Sequence, residues 1–159
     1  MDIEGYFDRQ YWVVDILPKQ VPADAPGQYF QIEKYYLETG RLKDIRKKFL
    51  NILLKLNCYY DFRITSDKIE ENINTCGGIQ EDQQMNPDPR KLEVWLIGPD
   101  PAAYLCILID EEHTLITIND DDTYMTVYDP SEKLLEMLRV LSGAEGLFVW
   151  RPAGNNQGE

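Results

Sequence analysis

The chain has one histidine, His113, and three cysteines, Cys58, Cys76 and Cys106. No two cysteines form a C-x-x-C pair, and a single histidine does not complete a usual zinc site with them. The cysteines read as reduced thiols, which points to the cytoplasm, where disulfides are rare. Gly77-Gly78 stands alone. Without G-x-G-x-x-G or a Walker lysine it does not read as a phosphate loop, and no G-x-S-x-G elbow is present. The longest apolar runs, such as Ala102–Ile109, are far shorter than a bilayer span. The first residues, Met-Asp-Ile-Glu-Gly-Tyr-Phe, lack the basic and apolar regions of a signal peptide, so the expectation is a soluble protein with no membrane association. No internal repeat is visible.

Aromatic residues and acidic charge are abundant. There are 10 Tyr, 5 Phe and 3 Trp in 159 residues, with a hydrophobic fraction of 43%. A chain of this size and composition is expected to bury a core without a disulfide or a metal. Charge is distributed unevenly. Residues 1–64 carry 9 acidic and 10 basic side chains, a net of +1, whereas residues 65–159 carry 19 and 6, a net of −13; together they give −12. Such a field repels nucleic acid and anionic lipid and attracts basic partners.

Gln10–Leu17 is rich in β-branched and aromatic residues and is ended by Pro18, so it reads as a strand. A Pro-rich loop follows. Tyr29, Ile32 and Tyr36 fall at helical spacing within Gln28–Glu38, which Gly40 ends. Arg41–Leu56 is a longer amphipathic helix, with Leu42, Ile45, Phe49, Ile52, Leu53 and Leu56 on one face. Arg41, Lys43, Arg46, Lys47, Lys48 and Lys55 form a basic stripe, read as a solvated helix face. Cys58–Ile64 is expected as a strand and Asp67–Asn74 as a short helix. Thr75–Arg90 reads as a loop and as a soft domain boundary.

In the second half, Leu92–Ile97, Ala103–Ile109, Leu115–Ile118, Tyr124–Tyr128 and Leu147–Trp150 read as strands. Asn119-Asp120-Asp121-Asp122 is a hairpin loop. Asp129-Pro130-Ser131-Glu132 predicts a helix start capped by Asp129, and Gly143 a helix stop. The resulting expectation is an α+β fold of one domain over residues 1–152. Its sheet is mainly antiparallel with a C-terminal meander, the helices pack on one face, and residues 153–159 form a frayed tail.

Clustered carboxylates suit hard cations. Asp120, Asp121 and Asp122 are contiguous, however, and lack the alternation and glycine of a calcium loop, so a turn is the preferred reading. Asp110 and Glu112 are spaced to share a face as an acid/base pair, yet they too fit a solvated turn. His113 has no nucleophile or orienting acid in a recognisable context. Tyr35-Tyr36 and Tyr59-Tyr60 cannot all face inward, and exposed tyrosines are what protein-binding hot spots use.

These observations predict a non-catalytic protein-interaction module that binds a basic partner, with the physical profile of an immunity or inhibitor protein. Its candidate binding residues are Asp110, Glu112, Asp120, Asp121, Asp122, Tyr35 and Tyr59. No cofactor, metal or nucleic acid is expected. The alternatives are a carboxylate- or metal-dependent hydrolase built on the same acids, and a structural subunit of a homo-oligomer.

Overall fold

A computed structural model describes residues 2–69 and 83–153. Among them are seven strands: β1 (Tyr11–Asp15), β2 (Arg63–Ser66), β3 (Gln84–Met85), β4 (Tyr104–Ile109), β5 (Thr114–Asn119), β6 (Tyr124–Tyr128) and β7 (Phe148–Trp150). Four helices accompany them: α1 (Tyr29–Glu38), α2 (Leu42–Leu56), α3 (Pro89–Ile97) and α4 (Glu132–Ala144). The strands form one sheet in the order β3-β2-β4-β5-β6-β1-β7, and every neighbouring pair is antiparallel. β4, β5 and β6 make three of the four strands of the expected meander; the segment expected as its first strand, Leu92–Ile97, is helical. The described residues thus form an α+β fold.

Alternation along the strands decides which side chains the helices cover. Leu105, Ile107 and Ile109 of β4, Ile116 and Ile118 of β5, and Met125 and Val127 of β6 all join one core. From the other side the core receives Ile45, Phe49, Ile52, Leu53 and Leu56 of α2, Leu92, Trp95 and Leu96 of α3, and Leu134 and Leu138 of α4. The apolar face read from the α2 sequence is therefore the buried one.

The expected strand Leu92–Ile97 is instead the body of α3. A six-residue apolar run fits either period, and the start signal settles the matter. Asp88 caps the helix by accepting from the Arg90 N–H at 2.8 Å, and Pro89 occupies the first helical position. Leu92, Trp95 and Leu96 are buried while Val94 is exposed, which is helical spacing. Gly98 closes the helix, and a Cβ there would stand 2.4 Å from the Val94 carbonyl oxygen.

The strand expected over Cys58–Ile64 begins only at Arg63, because residues 57–60 turn the chain out of α2. Residues 70–74 of the expected short helix, residues 75–82 of the expected loop, and the tail from 154 lie outside the described residues. Residues 84–90 of that loop hold β3 and the start of α3.

Both ends of α4 differ from expectation. Ser131, not Asp129, is the cap: its hydroxyl accepts from the Leu134 N–H at 3.2 Å. Asp129 has φ +53° and turns its carboxylate to Arg9. At the other end Gly143 is helical. The stop is Gly146, at φ +72°, where Leu147 N–H donates to Ser142 O and Gly146 N–H to Gly143 O. That is a Schellman termination, which requires a left-handed residue.

Arg46 departs from the basic stripe. It is 3% exposed and donates from Nη1 to the Leu96 carbonyl (3.1 Å) and from Nη2 to the Asn119 carbonyl (2.6 Å). It thereby ties α2 to the end of α3 and to the β5–β6 hairpin. Burial presses its pKa down, and Asp120, Asp122 and Asp121 push it back up.

These placements set the stability of four variants, all readable by urea unfolding. Gly143→Ala, exposed and with open space around its Cβ position, gains about 0.5–1 kcal/mol. Gly146→Ala loses about 1–2 kcal/mol because its backbone is left-handed. Arg46→Met removes a donor from the Leu96 and Asn119 carbonyls and costs about 1–3 kcal/mol, whereas exposed Lys43→Met stays within about 0.5 kcal/mol.

Candidate functional site

The face of the sheet turned away from α2, α3 and α4 is only partly covered. Its residues follow from strand register. Asp15 lies opposite Tyr124 on β6 and Phe148 on β7, Val13 opposite Thr126 and Trp150, and Tyr11 opposite Tyr128. The intervening residues Val14, Met125, Val127 and Val149 belong to the helix-side core. On the β4–β5 side of this face, Ile3 and Tyr6 of the N-terminal segment pack on Cys106, Leu108 and Leu115. Phe7 meets Tyr128 edge-on with ring centroids 5.4 Å apart. The Cys106 thiol is pushed up to about 11 by burial, so it holds no thiolate at neutral pH.

On the β1–β6–β7 part of this face, against the loop leading to α1, lies a recess of about 360 Å³. The rings of Tyr11, Tyr29, Tyr124, Tyr128 and Trp150 line it, together with Asp15 and Thr126. Tyr11 and Tyr128 are 5.5 Å apart, centroid to centroid. Lys19 stands exposed among the lining residues.

Asp15 is the unusual group in this recess. It is 8% exposed, and among the described residues no Lys or Arg forms an ion pair with it. Burial raises its pKa above the ordinary carboxylate value; the backbone N–H groups of Ile16 and Leu17 partly offset this. The Trp150 indole lowers it by a smaller amount but does not reach hydrogen-bond geometry, and its buried Nε1–H has no partner. Two further carboxylates act on the rim. Tyr29 is raised by burial and then by Glu33, Asp15 and Asp122. Tyr124 is pushed up to about 12 by burial and then by Asp122. Asp15, Glu33 and Asp122 thus concentrate negative potential on one aromatic hollow.

A smaller, apolar hollow of about 220 Å³ adjoins it between α1 and the end of β1, lined by Ile16, Leu17, Val21, Ile32 and Tyr36. α1 buries no residue fully. Phe30 (68% exposed), Ile32 (51%), Tyr35 (49%) and Leu37 (42%) are exposed on α1, and Ile32 lines the smaller hollow.

The candidate residues read from the sequence are dispersed over the fold. Asp110 receives both Arg63 Nε, at 3.0 Å, and Arg63 Nη2. Glu112 accepts from the hydroxyl of Ser131, the α4 cap. Both precede β5, and Asp120–Asp122 follow it, so the two groups lie about 20 Å apart along the strand. They do not converge on one pocket, and the described residues contain no group of three His, Cys, Asp or Glu placed to hold a metal ion. Of all these acids, only Asp122 acts on the recess tyrosines. Tyr35 lies on α1 under the Arg41 guanidinium, 5.7 Å from its ring centre. Tyr59 is exposed in the turn after α2.

Asp15, Tyr11, Tyr124, Tyr128 and Trp150 lie outside the candidate residues that the sequence suggests. Asp15 did carry a signal, as an aspartate inside a β-branched run where aspartate is disfavoured. Comparisons with protein-family models, curated proteins and solved structures find no match to this chain.

Asp15 makes stability pH-dependent. Its folded pKa is raised, so the folded state holds the proton more tightly than the unfolded chain. Stability therefore falls as pH rises from the ordinary carboxylate value through the raised one, and stays lower above it. Asp15→Asn is expected to raise the thermal midpoint at neutral pH and to lose that advantage below the ordinary carboxylate range. Melting curves across pH test this; an Asn variant less stable at neutral pH would contradict it.

Proposed function

We propose that this chain is a non-catalytic protein-interaction module whose partner is a basic protein, with the physical profile of an inhibitor or immunity protein. The observation that carries the reading is the recess: an aromatic hollow on an open sheet face, lined by the buried Asp15, with Glu33 and Asp122 acting on its tyrosines Tyr29 and Tyr124. Tyrosine and tryptophan in a concave, partly desolvated setting are favoured anchors at protein interfaces. The adjoining apolar hollow, lined by Ile32 and Tyr36 of α1, extends the same region. The net charge of −12 favours fast encounter with a positively charged surface. Asp110 and Glu112, the pair with acid/base spacing, are engaged by Arg63 and Ser131.

The test begins with capture by the immobilised full chain from the native host at low salt, elution with a salt gradient and identification by mass spectrometry. Association rates of the purified pair are then measured against ionic strength. The expected partner is a strongly basic protein whose association slows at least about tenfold from low to high salt. An association rate independent of salt would remove the electrostatic basis of the reading.

A further inference from the structure

We infer that the recess is the anchor pocket for one arginine side chain of the partner, its guanidinium seated on the Asp15 carboxylate between the tyrosine rings and Trp150. The inference rests on the protein-binding function proposed above and names the chemistry by which the site recognises its partner.

Asp15 has lost most of its water without gaining a cation. An ionised carboxylate offers about four lone-pair positions. The Ile16 and Leu17 N–H groups favour its ionised form, and its lone pairs are available to the recess that Asp15 lines. A planar guanidinium presents paired donors to such a carboxylate and stacks on aromatic faces. It also gives up water more readily than the ammonium of lysine. Tyr11, Tyr29, Tyr124 and Trp150 supply the faces. Glu33 and Asp122 add attraction at the rim, with Lys19 the one opposing charge among the lining residues. The volume of about 360 Å³ is at the small end of ligand pockets, suited to one long side chain with its adjoining backbone. That backbone also brings a carbonyl, and the buried Trp150 N–H is a donor still without an acceptor.

The probe is acetyl-Gly-Arg-Gly-amide, titrated into the full chain while the tryptophan indole N–H resonances are followed by NMR, with Trp150 assigned through Trp150→Phe. Its control replaces arginine by citrulline, the uncharged analogue of nearly the same shape. The arginine peptide is expected to shift the Trp150 resonance saturably, with the citrulline peptide at least about tenfold weaker. Asp15→Asn should weaken the arginine peptide roughly ten- to a hundredfold while the Trp12 and Trp95 resonances stay in place. Equal titration by both peptides would overturn the inference, as would wild-type arginine binding by Asp15→Asn. If a basic partner binds with salt dependence but is indifferent to Asp15→Asn, the anchor fails and the module reading stands. If the arginine peptide titrates Trp150 and no basic protein is captured, the guanidinium site stands and the partner reading falls.

Discussion

The burial of the Arg46 guanidinium is the constraint around which the fold is arranged. A helix packed on a sheet can slide and rotate at modest cost when the contact is only apolar. A charge placed inside that contact removes the freedom, because any displacement breaks hydrogen bonds in a low-dielectric setting. Arg46 draws one bond from the end of α3 and one from the end of β5. It therefore sets the position of α2 over the sheet, the position of α3 beside it, and the path of the β5–β6 hairpin. The contiguous aspartates of that hairpin have a local role in this arrangement, since all three favour the charged form of Arg46.

Asp15 is the counterpart on the other face of the same sheet. Arg46 is buried with carbonyl partners, whereas Asp15 is buried with no cation paired to it. The first arrangement fixes structure. The second leaves a carboxylate desolvated without a compensating cation, which is why its pKa is raised. The hairpin links the two sites, because Asp122 acts both on Arg46 and on the tyrosines at the recess rim.

Much of the fold was legible in the residues. β1, α1, α2 and the β4–β5–β6 meander follow from periodicity, and the apolar face of α2 was read correctly because six large side chains repeat at three- and four-residue steps. The errors share a cause, which is that short segments satisfy more than one rule. Leu92–Ile97 has too few residues to separate a strand from a helix, and its cap at Asp88 lay inside what read as a loop. Asp129 and Ser131 are both good caps, and Gly143 and Gly146 both good stops; the backbone path chose between them. Arg46 read as solvated because most arginines at such spacing are.

The site was far less legible than the fold. Acidic runs attract attention in a sequence, but a run is local, and its members lie at turns that the sheet holds about 20 Å apart. The recess is assembled from β1, β6, β7 and the start of α1, whose residues lie up to 139 positions apart between Tyr11 and Trp150. By itself the sequence determined the α+β class, most of the elements, the core face of α2 and the sign of the surface field, since each depends on composition or on spacing within one segment. Only the tertiary structure decided that Arg46 is buried and that Asp15 sits unpaired among aromatic rings, because strand order and register bring distant residues onto one face.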